Sequence, residues 1–376
     1  MTAQKKHIVL ISEVTSGGTR KHILDLINGI DKNKFELTFI YSLKRADETF
    51  LNSLKDLNNS GIKLIEVPMI REINLISDFY CFLKLVFLLK KIKPNLIHLH
   101  ASKAGVLGRA AAYILGMQNI VFNPHGGSFH RFRGKLGKFY LFIEKLFAFE
   151  NVHYIGVSKY STKLFKQYLN IDDSKNHLIY NGIEPSAIDI STLLKSEDKF
   201  KILWPAFFFS EKGHLKFIEG ILAAGGLDPK ILISLAGTGI LMNNIEELIG
   251  KYNLSFSFKF LGFRADITEL IDESDLVILP SRYEFFPYSI LESYARSKPV
   301  FATKVGAIPE IIEHGVSGEL FDFEKPEEFV KRLNYYAHNS SELRKFGEQG
   351  RKIVEEYFSL KQMIEKTEKL YLDILK

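Results

Sequence analysis

The sequence predicts an α/β protein built from two doubly wound domains, and three observations carry that prediction. Short apolar runs alternate with helical patterns from His7 onward, as they do where a parallel sheet is covered by helices. The length of 376 residues suits two domains of ordinary size, each with its own core. The polar stretch Glu184 to Lys199 contains Pro185 and no sustained periodicity. It reads as a linker between a first domain, 1–183, and a second, 200–360, with 361–376 as a final helix.

In the first half the expected strands are His7–Ile11, Phe35–Tyr41, Lys63–Val67, Leu96–His100, Ile120–Asn123, His153–Val157 and Leu178–Tyr180. After the first comes S-E-V-T-S-G-G-T-R-K-H, with a helix from about Thr19. Gly17 and Gly18 allow close backbone approach, and a helix start offers N–H groups to an anion. A simple turn is the other reading. Neither G-x-G-x-x-G nor a P-loop occurs, so dinucleotide and ATP readings lack their fingerprints.

The helix predicted over Leu75–Ile92 leads through Pro94 into L-I-H-L-H-A-S-K-A-G-V-L-G-R. This puts His100, Ser102 and Lys103 just past a strand end, where substrate contact and a structural role both stay open. The next strand ends in N-P-H-G-G-S-F-H, an open loop with His125 beside Gly126 and Gly127, and His125 is the preferred functional histidine. In Arg131 to Glu150, Arg131, Arg133, Lys135 and Lys138 are interleaved with Phe132, Leu136, Phe139 and Phe142. Such a segment either rests on an anionic membrane or packs its aromatics into its own domain. Ser158 is the expected N-cap of a further helix, and Asn181-Gly182 is a turn suited to a hinge.

The second half opens with the strand Phe200–Pro205 and A-F-F-F-S-E-K-G-H, which sets Lys212 and Gly213 before a helix. Strands follow at Ile231–Ala236 and Phe256–Leu261. The turn A-G-T-G holds Gly237 and Gly239, and F-L-G-F-R-A-D-I places Phe263, Arg264 and Asp266 at another strand end. From Asp275 to Glu310 the chain reads strand, loop, helix, strand. Leu276–Leu279 is closed by Pro280, Ser281–Phe286 form a polar-aromatic loop, and Pro287 opens a helix to about Ser297 before a strand at Pro299–Thr303. Ligands of open parallel sheets bind beyond the carboxyl ends of the strands, so Glu284 in the loop and Glu292 in the helix can face one ligand. Glutamates also recur eight residues apart at Glu211/Glu219, Glu319/Glu327 and Glu348/Glu356, but only Glu284/Glu292 brackets a strand-to-helix turn. Beyond it, H-G-V-S-G-E-L-F is a hairpin-like turn into a last strand, and 325–376 read as helical throughout.

Apolar residues at 46% and charged residues at 25% exclude a disordered chain. The single Cys81 excludes an internal disulfide and fits a reducing compartment. M-T-A-Q-K-K-H-I-V-L-I-S-E is too short in apolar residues for a signal peptide, and Tyr80–Leu89, broken by Lys84, is too short to span a bilayer. A soluble, cytoplasmic protein is expected. The net charge of +6 hides an asymmetry: residues 1–183 hold 26 Lys and Arg against 14 Asp and Glu, and the remainder 24 against 30. A basic first half suggests an anionic partner. No zinc spacing, arginine tract or RNA-binding signature appears, so nucleic acid gives way to an anionic membrane face or a phosphorylated acceptor.

The run E-x-F-P-x-x-I-L-E, followed by K-P-V-F-A-T and G-A-I-P-E, resembles the retaining glycosyltransferases of family 4, whose signature is two Glu separated by seven residues. H-x-S-K-A-G-x-L-G-R and P-H-G are similar to the bacterial capsule and lipopolysaccharide branch. The resemblance implies the GT-B fold, two facing Rossmann-like domains with a cleft between, the last helix crossing back to the first domain. It implies metal-independent transfer, with retention, of a sugar from a UDP- or GDP-linked donor to a lipid-linked saccharide or cell-surface polysaccharide, without a cofactor. Such an enzyme would be cytoplasmic or peripheral on the inner face of the plasma membrane.

By the same resemblance Glu284 holds donor-sugar hydroxyls, Glu292 the ribose hydroxyls, Lys212 the diphosphate, and His125 faces the donor sugar. Gly17, Gly18, Gly237, Arg264, Phe286, Pro287 and Tyr288 complete the implied donor site, with His100 and Lys103 on the acceptor side. The family's G-R-x-x-x-x-K-G is replaced here by Ala206 and Phe207 at its Gly and Arg. Only Lys212 carries over, at a cost of about 2 kcal/mol of charge-assisted contact unless Arg264 or Arg282 substitutes. A non-hydrolysing nucleotide-sugar 2-epimerase is the rival enzyme, and E-x-F-P-x-x-I-L-E with Y-N-G-I-E stands against it. Phe207 leaves a non-catalytic scaffold as a third reading.

Overall fold

A computed structural model describes residues 4–126, 134–185 and 199–376. The predicted contributions of Gly127, Arg131, Phe132 and Arg133, and most of the predicted linker, lie outside them. The chain forms two compact units, 1–181 with 360–376, and 182–359.

The first unit runs β1 (Lys6–Ser12), α1 (Gly17–Gly29), β2 (Phe35–Tyr41), α2 (Glu48–Asn59), β3 (Lys63–Glu66), α3 (Leu75–Ile92), β4 (Leu96–His100), α4 (Ser102–Ile114), β5 (Ile120–Asn123), α5 (Gly134–Leu146), β6 (Val152–Gly156), α6 (Lys159–Leu164) and β7 (Asn176–Leu178). All pairings are parallel, in the order β3-β2-β1-β4-β5-β6-β7. Ile8, Val9, Leu10 and Ile11 are all fully buried, which an unbroken apolar strand requires when helices cover both faces. Right-handed crossovers place α1 and α2 on one face and α3 to α6 on the other, because the strand order reverses after β3.

The second unit runs β8 (Phe200–Pro205), α7 (His214–Ala223), β9 (Ile231–Ala236), α8 (Met242–Lys251), β10 (Phe258–Gly262), α9 (Ile267–Glu273), β11 (Leu276–Leu279), α10 (Tyr288–Ala295), β12 (Val300–Thr303), β13 (Gly318–Phe321), α11 (Pro326–Tyr336) and α12 (Leu343–Tyr357). Its parallel order is β10-β9-β8-β11-β12-β13, over a core centred on Trp204, Phe208, Phe217, Phe301 and Phe329. The predicted helical tail is three helices. The chain breaks near Asn339 and at Phe358, and α13 (Leu360–Ile374) packs into the first unit's core through Met363, Leu370 and Tyr371. Glu368 fixes it there by accepting the Asp31 amide at 2.7 Å and the Lys34 ammonium at 3.1 Å.

Six of the twelve strands predicted with bounds agree at both edges, and the other six shift by a residue or two. The strand expected from Phe256 begins at Phe258 because Ser255–Ser257 form a 3-10 turn, and α1 begins at Gly17, after an extended Ser16. Ser158 caps α6, accepting the Ser161 amide at 3.1 Å.

The helical layer over β4 to β6 is tied by Arg109, a fully buried guanidinium. It donates to Gly105 O, Phe147 O, Tyr154 Oη and, at 2.7 Å, Glu144 Oε2, while lying 4.2 Å from the centre of the Phe122 ring. Breaking a buried pair by removing one partner strands the other charge, at about 3–5 kcal/mol. Glu144→Leu is therefore expected to lower stability by about that amount in urea denaturation, and Arg109→Met/Glu144→Leu to recover most of it. A double variant no better than the single would show that this ion pair does not set the layer's stability.

Candidate functional site

In each sheet the strand order reverses next to the first strand, between β1 and β4 and between β8 and β11. Such switch points open a crevice at the carboxyl ends of the strands. The loop after β8 closes on a short 3-10 turn, Ser210–Lys212, and then on Gly213 at φ 81°. A Cβ at Gly213 would fall 1.8 Å from Pro280 O, so glycine alone lets this loop lie against the end of β11. That approach brings Lys212 Nζ to 2.7 Å from Glu284 Oε1, and Ser281 Oγ donates to the same oxygen at 2.8 Å. The Arg282 amide donates to Glu211 O at 2.8 Å and closes the two loops on each other. Glu284 is held from its other side as well: Ala307 N donates to its carbonyl at 3.2 Å, and Gly306, at φ 55°, leaves room where a Cβ would sit 1.8 Å from that oxygen. Glu284 is buried, and the Lys212 side chain keeps a quarter of its surface. The result is a fixed carboxylate and a reachable ammonium at the second unit's switch point.

Glu292 lies in the second turn of α10, half-buried, and Pro287 is the residue that precedes the helix rather than its first turn. Phe286 and Tyr288 are buried, with Phe286 edge-on to Phe358 at 5.1 Å. Gly237 donates its amide to Gly262 O at 2.8 Å, and Ala206 O occupies the space of its missing side chain. The two suggested replacements for the missing arginine have other partners. Arg264 is paired through one guanidinium edge, Nε and Nη2, with both carboxylate oxygens of Asp266, and Arg282 lies 5.8 and 5.9 Å from the Tyr283 and Phe323 ring centres. Phe207 is half-buried, 6.0 Å from Phe209 ring to ring.

At the first unit's switch point four imidazoles meet. His100 Nδ1 lies 2.9 Å from His125 Nε2, the His22 ring is 4.6 Å from His125, and the His98 ring is 4.0 Å from His100. His22 Nδ1 is bound to Asn181 Oδ1 at 3.0 Å, and His98 Nδ1 to Tyr371 Oη at 2.6 Å. Burial lowers His22 to about 4 and holds His98, His100 and His125 well below the ordinary histidine range, with neighbouring histidines adding to the effect. Neutral rings can pass or accept hydrogen bonds. His98 Nε2, His100 Nε2 and Asn123 Nδ2 find no hydrogen-bond partner among the described residues. One ring nitrogen from each of His22, His100 and His125 falls within 4.8 Å of the others, the one group among the described residues close enough to share a metal ion. The backbone is held off its usual minima on both sides, Ala101 at φ 65° and His125 at φ 50°, as occurs where surrounding structure over-determines a functional site.

Two expectations for this unit change. The Gly17 amide at the start of α1 donates to Asp47 Oδ2 at 3.1 Å, beside Arg20 on the same oxygen at 2.7 Å; the anion there is the chain's own carboxylate. Lys103 Nζ is held by Asp78 at 2.6 and 2.7 Å and by Glu72 O, so it ties α3 to α4. Gly18 is the second residue of α1. Sequence reasoning missed His22, His98 and the buried Glu13, whose carboxylate accepts the Lys103 and Ala104 amides at 3.0 Å. Alternation held part of the signal, since residues two apart in a strand share a face and so pair His98 with His100.

Residues 16–187 match the domain described as Glycosyltransferase Family 4, and residues 186–353 the domain described as Glycosyl transferases group 1. The chain is 26% identical over 337 residues (86% of this chain, 87% of the relative) to the Escherichia coli UDP-Gal:alpha-D-GlcNAc-diphosphoundecaprenol alpha-1,3-galactosyltransferase. It is also 26% identical over 378 residues (94% and 97%) to the capsular polysaccharide biosynthesis glycosyltransferase CapM of Staphylococcus aureus. The crystal structure of Anabaena HepE in complex with UDP and glucose superposes with a TM-score of 0.81 over 98% of this chain and 100% of that one, at 20% identity, and so shares the fold. The two Rossmann-like units are those of a GT-B protein, and the chain belongs to the glycosyltransferases, with a family 4 domain followed by a group 1 domain.

Proposed function

We propose that this glycosyltransferase moves a sugar, with retention and without a metal, from a UDP- or GDP-linked donor to a lipid-linked saccharide or growing cell-surface polysaccharide. The observation that carries the reading is the Lys212–Glu284 contact at 2.7 Å, set at a sheet's switch point by Gly213. The relatives named for a diphosphoundecaprenol acceptor and for capsule synthesis support the acceptor class, and the neighbour holding UDP and glucose supports the donor class. On this reading the enzyme works in the cytoplasm, peripheral on the inner face of the plasma membrane.

Departure of a nucleoside diphosphate builds charge on its bridging oxygen, which fixed donors stabilise better than water does. In this reading Lys212 supplies that positive charge. Glu284 holds donor-sugar hydroxyls, Glu292 the ribose hydroxyls, and neutral His125 faces the sugar. Glu284 acts by position and charge rather than as a nucleophile. Its carboxylate already accepts two hydrogen bonds, from Lys212 and Ser281, on one oxygen. The other oxygen is left for the sugar.

Glu284→Ala is expected to lower kcat at least a hundredfold with the melting temperature within a few degrees of the parent; unaltered turnover with the donor would remove Glu284 from the chemistry. Glu292→Ala loses a charge-assisted hydrogen bond of about 2 kcal/mol, equivalent to roughly thirtyfold in donor KM with a smaller change in kcat, and an unchanged KM would reassign the ribose contact. EDTA should leave the rate unaltered, whereas activity restored only by added divalent metal would refute the metal-independent reading.

The histidines set a further dependence. His22 keeps its neutral form in the folded chain down to about pH 4, while the unfolded chain binds its proton near 6.5. Proton uptake below 6.5 therefore favours unfolding. The melting temperature is expected to fall steeply between pH 6.5 and about 4, and less steeply in His22→Phe. Parallel curves for the two proteins would show that this ring does not drive the acid loss.

A further inference from the structure

We infer that the outward face of α3 is a docking surface for an anionic lipid bilayer, on which the helix lies flat. Cys81, Leu85 and Leu89 turn inward and are buried. On the opposite side Ile76 is 86% exposed, Phe79 62%, Tyr80 54%, Leu83 50% and Phe87 65%. These positions recur at i, i+3, i+4, i+7 and i+11, one stripe of an α-helix about 17 Å long. An ordinary surface helix puts polar residues there. A stripe of this length facing water marks an interaction site.

Charge selects the partner. The same face ends in Lys90 and Lys91, both exposed in the last turn. Asp78, the one acid in α3, is drawn to Lys103 of α4. The surrounding sequence is basic, with 26 Lys and Arg against 14 Asp and Glu over residues 1–183. Aromatic and aliphatic side chains on one face, closed by lysines and free of acids, suit a helix lying at the boundary between acyl chains and anionic headgroups. At 18 residues, and with no described helix long and apolar enough to cross a membrane, α3 rests on the bilayer rather than spanning it. α5, in the same helical layer, adds exposed Phe139 and Phe142. The main contact lies on α3, and the basic-aromatic segment 131–150 that the sequence suggests contributes these two rings.

The inference specifies the surface behind the membrane part of the proposed function but needs none of Lys212, Glu284 or His125. Failure of one can therefore be told from failure of the other. Full-length protein is mixed with vesicles of phosphatidylcholine alone or with a third phosphatidylglycerol, and bound protein is separated by flotation. Parent protein should float with the anionic vesicles and stay behind with the neutral ones. Leu83→Glu/Phe87→Glu should lose at least tenfold in binding, and Lys90→Glu/Lys91→Glu should weaken it severalfold, both at the parent's melting temperature. Phe87→Trp should show a blue-shifted emission on adding anionic vesicles. Three results would overturn the inference. They are no flotation of the parent, equal flotation of Leu83→Glu/Phe87→Glu, or a parent dimer that this variant dissociates in the absence of lipid.

Discussion

The contact between the Lys212 ammonium and the Glu284 carboxylate joins two loops that leave neighbouring strands, β8 and β11, at the place where the strand order of the second sheet turns back on itself. Neither loop could reach the other with an ordinary side chain at 213, because Pro280 O fills the space where a Cβ would go. The backbone therefore comes first and the charge pair second. Once the loops touch, Lys212 and Ser281 hold one carboxylate oxygen of Glu284 and the Ala307 amide holds its backbone carbonyl, so the residue is fixed at its root as well as at its tip. A preorganised carboxylate needs no reorganisation at the moment of reaction.

The first unit meets the same topological demand in a different chemical form. Its switch point is filled by imidazoles that burial keeps neutral, and its anchors are uncharged or distant: Asn181 on His22, Tyr371 of the last helix on His98. The charged groups nearby have been neutralised locally, Lys103 by Asp78 and Arg20 by Asp47. A site built this way offers hydrogen bonds without net charge, whereas the second unit's edge offers the positive charge of Lys212.

Much of this was legible beforehand because parallel strands buried on both faces leave unbroken apolar runs. Leu96–His100, Ile120–Asn123, Phe200–Pro205 and Leu276–Leu279 agree residue for residue. Edges set by hydrogen bonding escaped, as at Phe258, where a 3-10 turn takes residues that look like strand. Glu284 stood out because its spacing to Glu292 brackets a turn, and His125 because glycines flank it. His22 and Glu13 were invisible because nothing local marks them. His22 sits in a basic helix start and Glu13 in a polar loop, and only the fold sets them against β4 and α4. The partners of Lys103 and Gly17 were equally out of reach, since each depends on where an acid distant in sequence falls.

One departure from the family pattern remains to be fitted to this geometry, the Phe207 that replaces an arginine. The structure pairs Arg264 with Asp266 and sets Arg282 among aromatic rings, which returns the question to Lys212. An ammonium has three donors, and Glu284 takes one. Two are left, so a diphosphate need not break the ion pair to be bound; it can share the cation with the carboxylate. Sharing has a consequence. A cation shared between carboxylate and phosphate carries less net attraction toward the donor than an arginine and a lysine together, so ground-state affinity is lower. A second cation on the diphosphate would also have steadied the charge that gathers on the departing oxygen, so with Phe207 at that position the task falls to the two free donors of Lys212 and to neutral hydrogen-bond donors.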